Sequence, residues 1–259
     1  MRRDSEISVD PAGGEGFHNP RQNVATLIGF SIIVLWLIAP LLAAPIFYFF
    51  TDRLGIAPMP AWGAVIFGHN LVVVVGIPVL VLFWEREPLS SIGLRKISGL
   101  DILSAVIVFL LFNWITGMTD TLLFGLRPPR TPDNSAAGAV AISSIPIWFW
   151  SIRALTNGAA EEMSCRGYAI ERLEKLTGIT WLAASISCTA DIVSHLPVWG
   201  LPGTLAMAPG QILFTYFYVK RRSLAASMTA HILTNMFATV VWPLLPVYWQ
   251  YIYWRVTRF

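Results

Sequence analysis

Two adjacent glutamates, Glu161 and Glu162, follow a hydrophobic run rich in Trp and Ile, in the segment from Asn157 to Tyr168. On a helix, Glu162 and Arg166 are i,i+4 neighbours with the acid on the N-terminal side, the favourable order for an ion pair. Glu161 points about 100° away from them. One carboxylate is therefore held by an arginine, while the other is free to take a proton, as a general base must. The plain alternative is a charged helix end, because Glu171, Arg172, Glu174 and Lys175 follow directly. Two further pairs occur at the same helical spacing inside later apolar runs. Asp191 and His195 are placed for a carboxylate–imidazole hydrogen bond. His231 and Asn235 pair an imidazole with an amide that can orient it or donate to a developing oxyanion. Taken singly, each pair could be an interhelical polar contact and nothing more. Taken together they say more, because polar groups at bilayer depth turn toward the bundle interior. The three faces are expected to converge. His69, Asn70, Asn113, Asp120 and Gln211 lack such partners in sequence and read as packing or cavity lining.

The elements that must position these groups are set by composition. Of the 259 residues, 55% are hydrophobic and 13% charged, against about 25% charged in an ordinary soluble domain. Mean hydropathy is +0.62. Long apolar runs alternate with short clusters of charge, Pro and Gly, and the runs are continuous rather than alternating, which indicates helices rather than barrel strands. The expected spans are Val24–Phe50, Trp62–Trp84, Leu100–Leu123, Val140–Ala160, Ile179–Leu196, Leu201–Val219, Leu224–Val241 and the shorter Leu244–Trp254. The fold class is therefore all-α, a polytopic transmembrane helical bundle of about eight spans by the bilayer-length criterion. Residues 1–23 read as a polar, disordered cytoplasmic tail and 24–259 as one transmembrane domain. Arg2, Arg3, Arg21, Arg86, Arg95, Lys96, Arg172, Lys175, Lys220, Arg221, Arg222, Arg255 and Arg258 fall on one side of eight crossings; Arg127 and Arg130 oppose them. The balance puts both termini in the cytoplasm, with the plasma membrane as the expected location. Cys165 and Cys188 give no disulfide framework and read as small buried residues. The net charge of +3 is accounted for by the loops, so nucleic acid is not an expected partner.

In order and separation, the Glu-Glu-x-x-x-Arg-Gly motif at Glu161–Gly167, the motif ending at His195 and the His-x-x-x-Asn motif at His231–Asn235 resemble the CPBP family. These are the CAAX protease and bacteriocin-processing (Abi) membrane proteins, which include the type II CAAX prenyl endopeptidases. The motif core covers 148–241. The resemblance implies an intramembrane endopeptidase acting on a membrane-embedded or lipid-anchored peptide. It implies Glu161 as the residue that activates water, assisted by His195. His231 and Asn235 would stabilise the oxyanion, with Glu162 and Arg166 in support. No cofactor is favoured. A zinc version would use Glu161, His195 and His231 as ligands, although the chain has no His-Glu-x-x-His pair. Two positions depart from the family pattern: Asp191 stands where Phe is usual, and Cys165 where an aromatic is usual. Asp191 would orient His195, alter substrate recognition, or mark a scaffold that has lost proteolysis. A small-solute transporter ranks last, because no broken helices recur in inverted halves.

Overall fold

The computed structural model describes residues 20–56, 58–125 and 146–245, and every regular element among them is helical. Helix α1 (Pro20–Tyr48) lies against α2 (Pro58–Val79). Both end in π-helical turns, at Phe49–Arg53 and Leu80–Glu85. A single 3-10 turn, Leu89–Ile92, leads to α3 (Gly99–Phe124). After the next described residue, Pro146, comes α4 (Ile147–Glu161), which continues as a π-helical segment, Glu162–Ile170. The chain goes on through α5 (Glu171–Thr177), α6 (Thr180–Ser194), α7 (Leu196–Arg221) and α8 (Leu224–Met236). A π turn at Phe237–Val241 and a last turn at Trp242–Leu244 follow. Helix α1 begins at Pro20, inside the stretch read as a tail; the remainder of that stretch, the start of the fourth expected span and nearly all of the eighth lie outside the described residues.

Three helical stretches are long and apolar enough to cross a bilayer: Phe67–Glu85, Gly99–Phe124 and Leu224–Val241. The apolar part of α1, Asn23–Ala39, is shorter. Helix α3 is the plainest case. It buries Ala105 and Val108 against α7 and α8, while Leu100, Leu103, Ile107, Leu110, Trp114 and Leu122 face outward. An outer surface of this kind is stable against lipid tails and not against water. Gly200 has a left-handed φ of 65° and breaks α7 where the fifth and sixth expected spans meet.

The ends of α2, α3, α5 and α7 are tied by ion pairs. Arg172, 3% exposed, binds Glu85 through both Nε and Nη2, and Glu85 also accepts from Tyr168 Oη at 2.7 Å. Lys175 reaches Glu87 at 2.8 Å. Asp101 accepts from Ser98 N in a capping box and receives Arg95 at 3.1 Å and Arg221 at 2.6 Å. Arg222 bridges Glu171 and Glu174. These contacts fasten the start of α3 and the ends of α2 and α7 to the segment that carries the glutamates.

The Glu85→Ala variant leaves Arg172 buried without its carboxylate, which costs about 3–5 kcal/mol. Thermal unfolding in detergent is expected to show a clearly lowered midpoint, with Lys175→Ala, at the more exposed pair, close to wild type.

Candidate active site

Three helices bring the chemistry together. Helix α4 and its π continuation supply Glu161, Glu162 and Arg166; α6 supplies Asp191 and His195 near its C-terminus; α8 supplies His231 and Asn235. From Glu162 onward the helix is π rather than the α-helix the spacing suggests. A widened turn of this kind often sits at a functional site. All nine of its residues are buried. Gly167 permits this, since a Cβ there would stand 3.0 Å from the Ile92 carbonyl and 2.9 Å from Leu224. Ser164 Oγ donates to the Ala160 carbonyl at 2.7 Å, and Ser187 Oγ donates to the Cys165 carbonyl, pinning the segment to α6.

The two glutamates face different partners. Glu161 Oε1 accepts from Asn157 Nδ2 at 2.6 Å and lies 4.0 Å from His195 Nε2. Its Oε2 is 3.1 Å from His231 Nε2, a close contact that is not aligned as a hydrogen bond. Glu162 Oε1 is 2.8 Å from His231 Nδ1 and 3.4 Å from Arg166 Nη1, and its Oε2 accepts from Ser227 Oγ. His231 therefore lies between the two carboxylates, its ring stacked on Phe214 with centroids 4.9 Å apart. The expected pairing of Glu162 with Arg166 is present in spite of the π geometry.

Arg166 is 1% exposed and serves three acceptors. Nη2 donates to Gln211 Oε1 at 2.6 Å, while Nη1 lies 2.7 Å from Asp191 Oδ2 and 3.4 Å from Glu162. The Asp191 contact is the shorter of the two ion pairs. The Asp191 carboxylate stands 3.9 Å from His195 Nδ1, which instead meets the Asp191 backbone carbonyl at 2.8 Å. The orientation of His195 thus comes from the main chain at 191, and the side chain there belongs to the arginine. Asn235 is one turn beyond His231 on α8, and its Nδ2 has no hydrogen-bond partner among the described residues.

Four contributors were missed by sequence reading. Gln211 was set aside as packing but closes the Arg166 shell. Ser227 sits four residues before His231 on the same helix face, a spacing that could have flagged it. Asn157 stands four residues before Glu161, an equally readable signal. Arg153, also on α4 and half-buried, was not considered, although an arginine inside an apolar run signals function. Cys165 and Cys188 are free and buried.

A double-mutant cycle separates the two roles open to Asp191. Asp191→Asn with Arg166→Met should show a coupling of at least about 1 kcal/mol in detergent unfolding. Asp191→Asn with His195→Ala should be additive within about 0.5 kcal/mol.

Residues 143–237 match the family model described as Type II CAAX prenyl endopeptidase Rce1-like. Neither curated proteins nor solved structures give a match. The family match supports a CAAX endopeptidase type of function, and together with the apolar helices it describes an integral membrane protein with a membrane-associated, prenylated type of substrate. Through residues 143–237, which hold every motif residue of the site, the chain belongs to the CAAX protease and bacteriocin-processing (CPBP) family, on its Rce1-like side.

Proposed function

We propose that the chain is an intramembrane endopeptidase in which Glu161 activates water for attack on a peptide bond of a lipid-anchored substrate. The observation that carries this reading is the 4.0 Å gap between Glu161 Oε1 and His195 Nε2. A water about 2.8 Å from each atom would bridge them and be polarised by both. Glu161 takes one proton of that water as its oxygen bonds to the scissile carbonyl carbon, and later delivers it to the leaving amine. His195 is held through Nδ1 by the Asp191 carbonyl, so Nε2 is the nitrogen turned to the reaction. Asn235 Nδ2, without a protein partner, is available for the oxyanion. His231 lies against both glutamates, and we assign it first to aligning Glu161; its share in the oxyanion requires the ring to turn from that carboxylate. Glu162 fixes His231 from the other side. The substrate class follows the family description: a C-terminal peptide beyond a prenylated cysteine, reached from the bilayer.

A zinc-dependent version would hold the ion with Glu161, His195 and His231, and the metal would supply Lewis-acid activation of water. Among the described residues, however, the ligand atoms that cluster within 4.8 Å of one another are those of Glu161, Asp191 and His195. Asp191 is already neutralised by Arg166 at 2.7 Å, and that guanidinium opposes a dication beside it. This donor set favours the metal-free reading. A scaffold without proteolytic activity is the second reading, motivated by Asp191 itself; the intact arrangement of Glu161, His195 and His231 weighs against it. We further infer that the remaining apolar helices also cross the membrane, about eight crossings in all, in the plasma membrane with both termini cytoplasmic and residues 1–23 as a tail to the transmembrane domain.

Cleavage of a prenylated peptide by protein in lipid vesicles is the direct assay. Glu161→Gln is expected to lose at least about 100-fold in kcat, and Asn235→Ala about 100-fold to 1,000-fold. Full-rate cleavage by Glu161→Gln would sink the assignment. Activity should survive exhaustive chelation; loss that zinc restores would establish the metal version instead.

A further inference from the structure

The unabsorbed charge in this bundle is Arg153. It lies inside α4, half-buried, with its guanidinium 5.4 Å from the Trp150 ring and no carboxylate within ion-pair distance among the described residues. Every other buried arginine here is paired: Arg166 with Glu162 and Asp191, Arg172 with Glu85. An arginine at bilayer depth is costly and is kept where it has a partner or a ligand. A second observation points the same way. Trp150 Nε1–H, three residues before Arg153, is a buried donor with no partner among the described residues. A third group faces this region from α2. His69 Nδ1 is engaged by the Val65 carbonyl at 2.7 Å, which leaves Nε2 for another contact. His69, Arg153 and Glu161 are near enough to feel one another electrostatically.

We propose that Arg153, with Trp150 Nε1–H and His69, forms an anion seat that receives the C-terminal carboxylate of the peptide being cleaved. A planar guanidinium is suited to a carboxylate, which it can bind through two parallel hydrogen bonds. The spacing fits a bond cut close to the end of a chain. Arg153 precedes Glu161 by eight residues on one helix, about 12 Å of rise. Three residues of extended peptide cover about 10 Å. Asn157, midway between them, holds Glu161 Oε1 at 2.6 Å and keeps the two ends of this track in register. The seat would therefore measure the distance from the scissile bond to the terminus, which makes the enzyme selective for substrates that end there. The proposal rests on the endopeptidase reading, and a lipid phosphate is the other anion that could reach the same cation.

Binding separates this inference from the cleavage reading. The full chain carrying Glu161→Gln is placed in phosphatidylcholine nanodiscs with a dansyl-labelled, S-farnesylated pentapeptide, offered as the free acid or as the C-terminal amide. The acid is expected to bind about tenfold more tightly, the value of one charge-assisted contact. Adding Arg153→Gln should abolish that preference, Arg153→Lys should keep most of it, and Trp150→Phe, which retains a ring and removes the donor, should reduce it. Equal binding of acid and amide, or a preference that survives Arg153→Gln, would overturn the proposal. So would loss of the preference when phosphatidylglycerol replaces phosphatidylcholine, which would assign the seat to a lipid headgroup. Loss of cleavage in the wild type with the acid preference intact would instead count against the catalytic reading alone.

Discussion

A guanidinium with 1% of its surface exposed cannot be solvated, and in this bundle it sets where the other charges go. Desolvating an ion of this size costs several kcal/mol unless charge and hydrogen bonds are returned to it. Arg166 receives them from Asp191, Glu162 and Gln211, each on a different element. The same contacts decide which carboxylate is left over. Glu162 and Asp191 are committed to the arginine; Glu161, one residue away, is turned to Asn157, His195 and His231. The asymmetry between two adjacent glutamates is thus a consequence of charge burial, imposed by one cation on one side of the helix.

Backbone geometry makes the crowding possible. The nine residues from Glu162 to Ile170 are buried on every side, so their helix has neighbours and no solvent face. Gly167 lets the Ile92 backbone approach, and Ser187 ties Cys165 to α6. At the polar end of the bundle, Arg172 on Glu85 and Arg221 on Asp101 fasten the flanking helices to this segment. Rigidity there is transmitted to Glu161 through continuous helix rather than through a loop, which suits a group that must meet its histidine partners at fixed distances.

Much of this was legible in the sequence because the signals are local. The four-residue spacings of Glu162 with Arg166 and His231 with Asn235, and the separation of Glu161 from its neighbour, needed only helix geometry. The all-helical class and three bilayer-length helices followed from apolar runs. What could not be read were the contacts between elements. Gln211 meets Arg166 across 45 residues, a pairing no periodicity encodes. The position of Asp191 was visible, but its choice of partner was not: side chain to Arg166, main chain to His195. The π geometry after Glu161 was also hidden, since helix periodicity in so short a polar stretch does not separate α from π. Arg153 is a different case. It stood in plain view within an apolar run, and was passed over because it has no charged neighbour at helical spacing, the very property that gives it meaning.

The central claim is that Glu161 performs hydrolysis on membrane-associated proteins. Mass spectrometry of protein C-termini in membranes that carry the wild-type chain, the Glu161→Ala chain or neither tests it most directly. The account predicts a set of lipid-anchored or membrane-embedded proteins that are shortened only with the wild type and intact in the other two. Shortening that is equal with Glu161→Ala and wild type would contradict it.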